Sequence, residues 1–165
     1  MLQQPAKKFA LPALAVFLFI FSACAAHNSI RKVTFKGRGS LADYQDLRAG
    51  PEKPSKPYRV MGRKYYPLKT SKGFTQTGIA SWYGPNFHGK LTANGETYNQ
   101  MAGTAAHKTL PFNTILLVEN MESGKSTVVR VNDRGPFVGD RIIDLSKKAA
   151  TQVGMIGKGT SRVRI

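Results

Sequence analysis

Residues 114–120 read TILLVEN and residues 126–132 read STVVRVN, with MESGK between them. Both runs are rich in β-branched and aliphatic side chains, and the connection holds Gly124. That spacing predicts a β-hairpin: branched side chains fit a pleated surface, and a glycine in the loop takes the turn that closes it. Shorter strand patterns flank the pair. Residues 77–83 alternate loosely and end at Gly84-Pro85, a turn signal. Residues 141–145 (RIIDL) are short and apolar, and residues 161–165 (SRVRI) alternate to the end of the chain. Ser146 offers an N-cap for a short helix over 147–153, stopped at Gly154. Five or six short strands with a single helix over residues 74–165 predict a mainly β domain, a small closed barrel that leaves no free sheet edge.

Outward from this domain the composition changes. Residues 58–73 (YRVMGRKYYPLKTSKG) carry Tyr58, Val60, Met61, Tyr65, Tyr66 and Leu68, a density that suits a strap packed on the barrel. The tyrosines suggest sugar stacking as a second role. Residues 24–57 hold Pro51, Pro54, Pro57 and scattered Lys and Arg without sustained periodicity, which reads as a flexible basic tether. The chain has 25 Lys+Arg against 9 Asp+Glu, a net charge of +16 in 165 residues. Of this, +9 lies in residues 24–73 and +5 in residues 74–165. A length of 165 residues excludes a two-domain dinucleotide-binding enzyme and a multi-span membrane protein. The charge calls for a polyanionic partner or a well-solvated linker. No motif that reads a nucleic-acid groove is present, so no nucleic acid is expected as a partner.

Residues 1–23 read as an export signal. Lys7 and Lys8 precede an apolar run over 9–21, too short to span a bilayer, and small residues follow. Phe21-Ser22-Ala23-Cys24 resembles a bacterial lipobox, with Phe21 in place of the usual Leu. The resemblance implies that Cys24 is lipidated and anchors the chain to a membrane. Ala25, rather than Asp, follows the cysteine and favours the periplasmic face of the outer membrane. The bland alternative is an ordinary cleavage site with Cys24 as a spare thiol. One cysteine excludes a disulfide within the chain and a Cys-rich zinc site. His27, His88 and His107 form no metal-ligand spacing, so neither metal nor cofactor is expected.

Three segments concentrate polar groups among turn residues. They are ASWYG at 80–84 with FHGKLTANGETY at 87–98, then TAAHKTLPF at 104–112, then VNDRGPF at 131–137 with IIDLS at 142–146. In this order the strings resemble the rare lipoprotein A family, and the likeness runs from about Tyr58 to the end of the chain. The resemblance implies a six-stranded double-psi β-barrel. Many members carry a C-terminal sporulation-related repeat domain, which the sequence given lacks. Some members are lytic transglycosylases, cleaving the β-1,4 bond between N-acetylmuramic acid and N-acetylglucosamine in peptidoglycan glycan strands. The muramic acid C6 hydroxyl attacks its own anomeric carbon and leaves a 1,6-anhydro end. That chemistry needs a carboxylic acid to protonate the leaving oxygen and no nucleophilic side chain.

By resemblance the catalytic positions are Asp133, Glu96 and His107, with Asp133 the expected acid. Trp82, Tyr83, Asn132, Arg134 and Asp144 are the expected substrate-binding residues. Each has a plainer structural reading. Asp133 suits a turn former, Glu96 a solvated turn residue, His107 a satisfied core histidine, Trp82 a core aromatic and Asp144 a cap for the helix near Ser146. Two non-catalytic functions compete: a glycan-binding or wall-loosening module on the same barrel, and a lipoprotein that organises the division site through protein contacts.

Overall fold

A computed structural model describes Leu47 and residues 50–165; the expected export signal, Cys24 and most of the expected basic tether lie outside the described residues. The elements are β1 (Tyr58–Val60), β2 (Arg63–Tyr65), β3 (Thr77–Trp82), β4 (Thr104–His107), β5 (Ile115–Asn120), β6 (Ser126–Asp133), β7 (Arg141–Leu145), α1 (Lys147–Gln152) and β8 (Thr160–Arg164). Strands β3 to β8 close into a barrel in the order β3-β7-β4-β6-β5-β8. The β5–β6 hairpin pairs antiparallel, Leu116 opposite Val129 and Val118 opposite Thr127, as the spacing of the two runs predicts. The pairs β3·β7 and β4·β6 are parallel, and each carries a register shift, at Ile79/Ala80 and Ala105/Ala106. Between them β4 and β7 run antiparallel. The expected mainly β class and the six-stranded barrel are both present.

Alternation decides which side chains fill the interior. On β5, Leu116, Val118 and Asn120 are buried while Ile115 and Leu117 are exposed. Val129, Val131, Ile143, Leu145 and Val163 complete the interior, and Val153 and Met155 close it beside α1. The Ser146 hydroxyl caps α1 by accepting from the Ala149 N–H at 3.2 Å. Gly154, at φ +73°, ends the helix, and the Met155 N–H reaches back to the Ala150 carbonyl at 2.9 Å. Strand β4 is missing from the strand patterns of the sequence because all four of its residues are buried, so it shows no alternation.

The strap is a β-hairpin, β1 paired with β2. Met61 and Gly62 turn it with φ of 48° and 79°, the left-handed pair that a two-residue hairpin loop prefers. The packed chain begins earlier than composition suggests, and the end of the expected flexible tether needs correction. Lys53 and Phe112 exchange both backbone hydrogen bonds, at 2.9 and 3.0 Å. The Glu52 carboxylate accepts from the Ser71 N–H at 3.1 Å and from the Ser71 and Thr114 hydroxyls. Proline and lysine content resembles a linker, but backbone pairing to a barrel loop is not visible in composition.

Asn120 ties the hairpin to the rest of the barrel. It is 1% exposed, and its amide nitrogen donates to the Val153 carbonyl at 2.8 Å. Its amide oxygen accepts from the N–H groups of Glu122 at 2.9 Å and Ser123 at 3.3 Å. Asn120→Leu keeps a side chain of similar size and strands these N–H groups. We expect a loss of about 2–3 kcal/mol, read as a lower urea midpoint at unchanged slope.

Candidate functional site

Register across four strands builds the site. Ser81 on β3 pairs with Asp144 on β7, Asp144 pairs with Ala106 on β4, and Ala106 pairs with Asp133 at the end of β6. Laterally paired residues share a face of the sheet. The two aspartates therefore flank one alanine, their backbones about 10 Å apart at two strand spacings. Ala106 is 1% exposed and too small to separate them. A cavity of about 540 Å³ lies over this row, lined by Trp82, Tyr83, Leu91, Asp133, Arg141 and Asp144 among others.

Asp133 is held by three donors. Its Oδ1 accepts the N–H groups of Ala93 and Arg134, both at 2.8 Å, and its Oδ2 meets the Tyr83 hydroxyl at 2.8 Å. A backbone N–H can only donate, so Oδ2, facing a hydroxyl that can also accept, is the oxygen able to carry a proton. Burial, reinforced by the charge and hydrogen bond of Asp133, pushes the Tyr83 phenol far up, so it remains protonated. Across Ala106, burial raises Asp144 above the ordinary aspartate value. The Ser81 hydrogen bond and the charges of Arg141 and Lys108 oppose that rise, and Asp133 adds to it. Asp144 Oδ1 accepts from the Ser81 hydroxyl and lies 3.4 Å from Arg141 Nη1. The plainer reading of Asp144 as a helix cap fails, because Ser146 itself caps α1.

Glu96 stands beneath this site, outside the cavity that holds the aspartates. It forms a two-pronged ion pair with Arg130, at 2.7 and 2.8 Å, and accepts from the amides of Asn94 at 2.9 Å and Asn132 at 3.0 Å. The Arg130 hydrogen bonds come first in holding its carboxyl down to about 2, with Asn132 and Asn94 assisting against burial. Glu96 is therefore an anion that organises the 92–96 loop, the segment that aims the Ala93 N–H at Asp133. Asn132 is 3% exposed and serves the same loop. Gly95, at φ +90°, makes that turn feasible.

His107 sits on a different wall. Its Nδ1 accepts the N–H groups of Thr109 at 3.2 Å and Leu110 at 3.0 Å, so Nε2 carries the proton and faces Gln76 Oε1 at 3.3 Å. Burial first, then Arg134 and Lys108, lowers it to about 4. The ring lines a second cavity with Tyr65, Tyr66, Gln76 and Lys108. Its link to the aspartates is indirect: the His107 carbonyl accepts from Arg134 Nη1 at 3.1 Å. Arg134 also donates to the Leu110 carbonyl at 2.6 Å and the Ser55 hydroxyl at 2.7 Å, and lies 3.8 Å from the Phe112 ring centroid. Trp82 packs on the core and lines the cavity with its remaining surface. The sequence segments included Ser81, Phe87, Leu91 and Phe137 without marking them as site residues. Ser55 and Arg141 gave no such signal and were found only through the fold, whereas Tyr58 was among the strap tyrosines read as sugar-stacking candidates.

A family model for the lytic transglycolase domain matches residues 75–165. A protein of Campylobacter jejuni named endolytic peptidoglycan transglycosylase RlpA is 61% identical over 117 residues, 71% of this chain and 42% of that protein. A Pseudomonas aeruginosa protein of the same name is 53% identical over 109 residues, 66% of this chain and 32% of that protein. The chain thus spans less than half the length of these relatives. Among solved structures, Streptomyces papain inhibitor aligns with 56% of this chain and 93% of its own, at 21% identity and a TM-score of 0.43.

Both depressed groups make stability fall with acid. The folded values, about 4 for His107 and about 2 for Glu96, lie below the reference values of 6.5 and 4.5. Each contribution is complete above its reference value and is lost as pH falls toward the folded one. Urea midpoints should therefore drop first between pH 6.5 and 4 and again between 4.5 and 2. Glu96→Gln should lower the midpoint at pH 7 and flatten the second decline.

Proposed function

We propose that this chain, which belongs to the lytic transglycolase family through residues 75–165, cleaves peptidoglycan glycan strands in the cavity over Asp133 and Asp144. The observation that carries the reading is the register row: two carboxyl groups face one cavity across a single alanine. In the proposed reaction the bond between the anomeric carbon of N-acetylmuramic acid and the O4 of N-acetylglucosamine breaks. The leaving O4 takes a proton from a carboxylic acid. The C6 hydroxyl of the same muramic acid closes on the anomeric carbon and gives its proton to a carboxylate. The product is a 1,6-anhydro end, and no water enters the balance.

The acid–base work expected of Asp133 is thereby shared by the pair. Asp144, raised by burial, supplies the proton. Asp133, fixed by two backbone N–H groups and joined to Tyr83, receives the C6 proton through Oδ2. Trp82, Tyr83 and Arg134 line the cavity as substrate contacts. Glu96, Asn132 and His107 act as positioning residues through the 92–96 loop and Arg134. The names of the relatives, endolytic peptidoglycan transglycosylases, support this substrate and reaction class.

The same proposal extends to the N-terminus. A lipid on Cys24 would hold the chain at the periplasmic face of the outer membrane, with the basic residues 24–49 reaching toward the anionic wall polymer. Radiolabelled palmitate should enter the full chain and be lost in Cys24→Ser.

Full-length protein incubated with sacculi and with peptide-free strands should release anhydro products detectable by mass spectrometry. Asp133→Asn and Asp144→Asn should each reduce release about 10²–10⁴-fold, with sacculus binding retained. Activity should fall as pH rises through the elevated Asp144 value. The non-catalytic readings make the opposite forecast: wall binding, or rescue of a division defect through protein contacts, that survives loss of both carboxyls.

A further inference from the structure

Two cavities meet at Asp133. The one already described runs past Trp82 and Asp144. The other, about 420 Å³, lies on the strap side and is lined by Ser55, Tyr58, Val60, Phe112, Asp133 and Phe137, with Arg134 also in its wall. Arg134, Phe137 and Asp133 belong to both, so the two cavities adjoin at the carboxyl group. Both volumes fall within the range of about 300–1,000 Å³ usual for small-ligand sites.

The strap-side wall is apolar, aromatic and rigidly held. Tyr58 stacks on Tyr65 with ring centroids 5.2 Å apart, and Phe137 meets Tyr65 at 5.4 Å and Tyr58 at 6.2 Å. The Tyr58 hydroxyl donates to the Lys108 carbonyl at 2.6 Å, which fixes the ring from its far end. Phe112 is held by Arg134 on its face and by the backbone pairing with Lys53. Tyr58, Phe112 and Phe137 all remain partly exposed. Arg134 also lies over the Tyr58 ring, 5.9 Å from its centroid, and what these partly exposed rings leave open is apolar surface that suits the C–H side of a pyranose ring and the methyl of an acetamido group. The residues of this wall from Ser55 to Val60 precede the stretch that the family model matches.

We propose that the strap completes a second sugar subsite on the far side of Asp133, where Tyr58, Phe112 and Phe137 receive an N-acetylhexosamine ring of the same strand whose neighbouring ring lies over Trp82 and Asp144. This rests on the glycan-strand reading of the site. With rings bound on both sides, the scissile bond lies at the carboxyl groups within a strand rather than at its end. Ser55, just before the strap, accepts from Arg134, and Tyr58 of the strap lies under the same guanidinium, 5.9 Å from ring centroid to Cζ, so this stretch both walls the subsite and holds the residue beside Asp133.

The test is calorimetric binding of a peptide-free hexasaccharide of alternating N-acetylglucosamine and N-acetylmuramic acid to the full chain, with thermal unfolding as a check on folding. Val60→Trp fills the subsite from β1 without touching Asp133, and Tyr58→Ala removes its platform. Each should weaken hexasaccharide binding about tenfold, the effect of losing one ring contact of about 1.4 kcal/mol. With long strands the loss should appear in KM, with kcat within about twofold of wild type. Unchanged affinity in the folded Val60→Trp protein overturns the subsite. Absence of anhydro product from wild type overturns the reaction reading instead, and the binding comparison still decides the subsite.

Discussion

Everything at the site depends on where β4 lies. It is parallel to β6 on one side and antiparallel to β7 on the other, with Ala106 in register with Asp133 and Asp144. No turn or loop sets the distance between the two carboxyl groups; the backbone ladder does, at two strand spacings. Shifting any one pairing by a residue would send one aspartate to the opposite face. Closure of the barrel prevents such slippage, because each strand is pinned on both edges. The small side chain between the aspartates matters equally, since a bulky residue at Ala106 would fill the space between the two carboxyl groups.

Much of the barrel was legible in the sequence. The branched runs at 114–120 and 126–132, the short apolar RIIDL and the alternating SRVRI all fall on strands, and Ser146 caps its helix as expected. Strand β4 was hidden because TAAH, buried on both faces, has neither alternation nor bulk. The strap's hairpin was hidden because its strands span three residues each, too few for a period to show. Motif resemblance brought Asp133, Asp144, Glu96 and His107 onto one list but carried no information about which of them share a cavity. Only the register separates the groove pair, Asp133 and Asp144, from Glu96 under the loop and His107 on the opposite wall.

Electrostatics divides the same residues along the same line. Glu96 meets a guanidinium and two amides, and its charge is fully compensated. His107 spends Nδ1 on two backbone N–H groups and is buried as a neutral ring. These are the arrangements of groups that hold a structure still. Asp144 is different: it is half-buried with a serine and a more distant arginine, and its compensation is incomplete. A carboxyl left in that state at the wall of a cavity is suited to exchanging a proton.

The two backbone bonds between Lys53 and Phe112 have a mechanical meaning. Any tension arriving along the chain from its N-terminal side reaches this bridge, and the Glu52 grip on Ser71 and Thr114, before it reaches a barrel strand. The bridge is isolated, with no neighbouring ladder pairs to share a load. Two residues beyond the bridge stands Ser55, whose hydroxyl accepts from the arginine beside Asp133. The attachments at Glu52 and Lys53 thus stand, along the chain, between its N-terminal side and the groove.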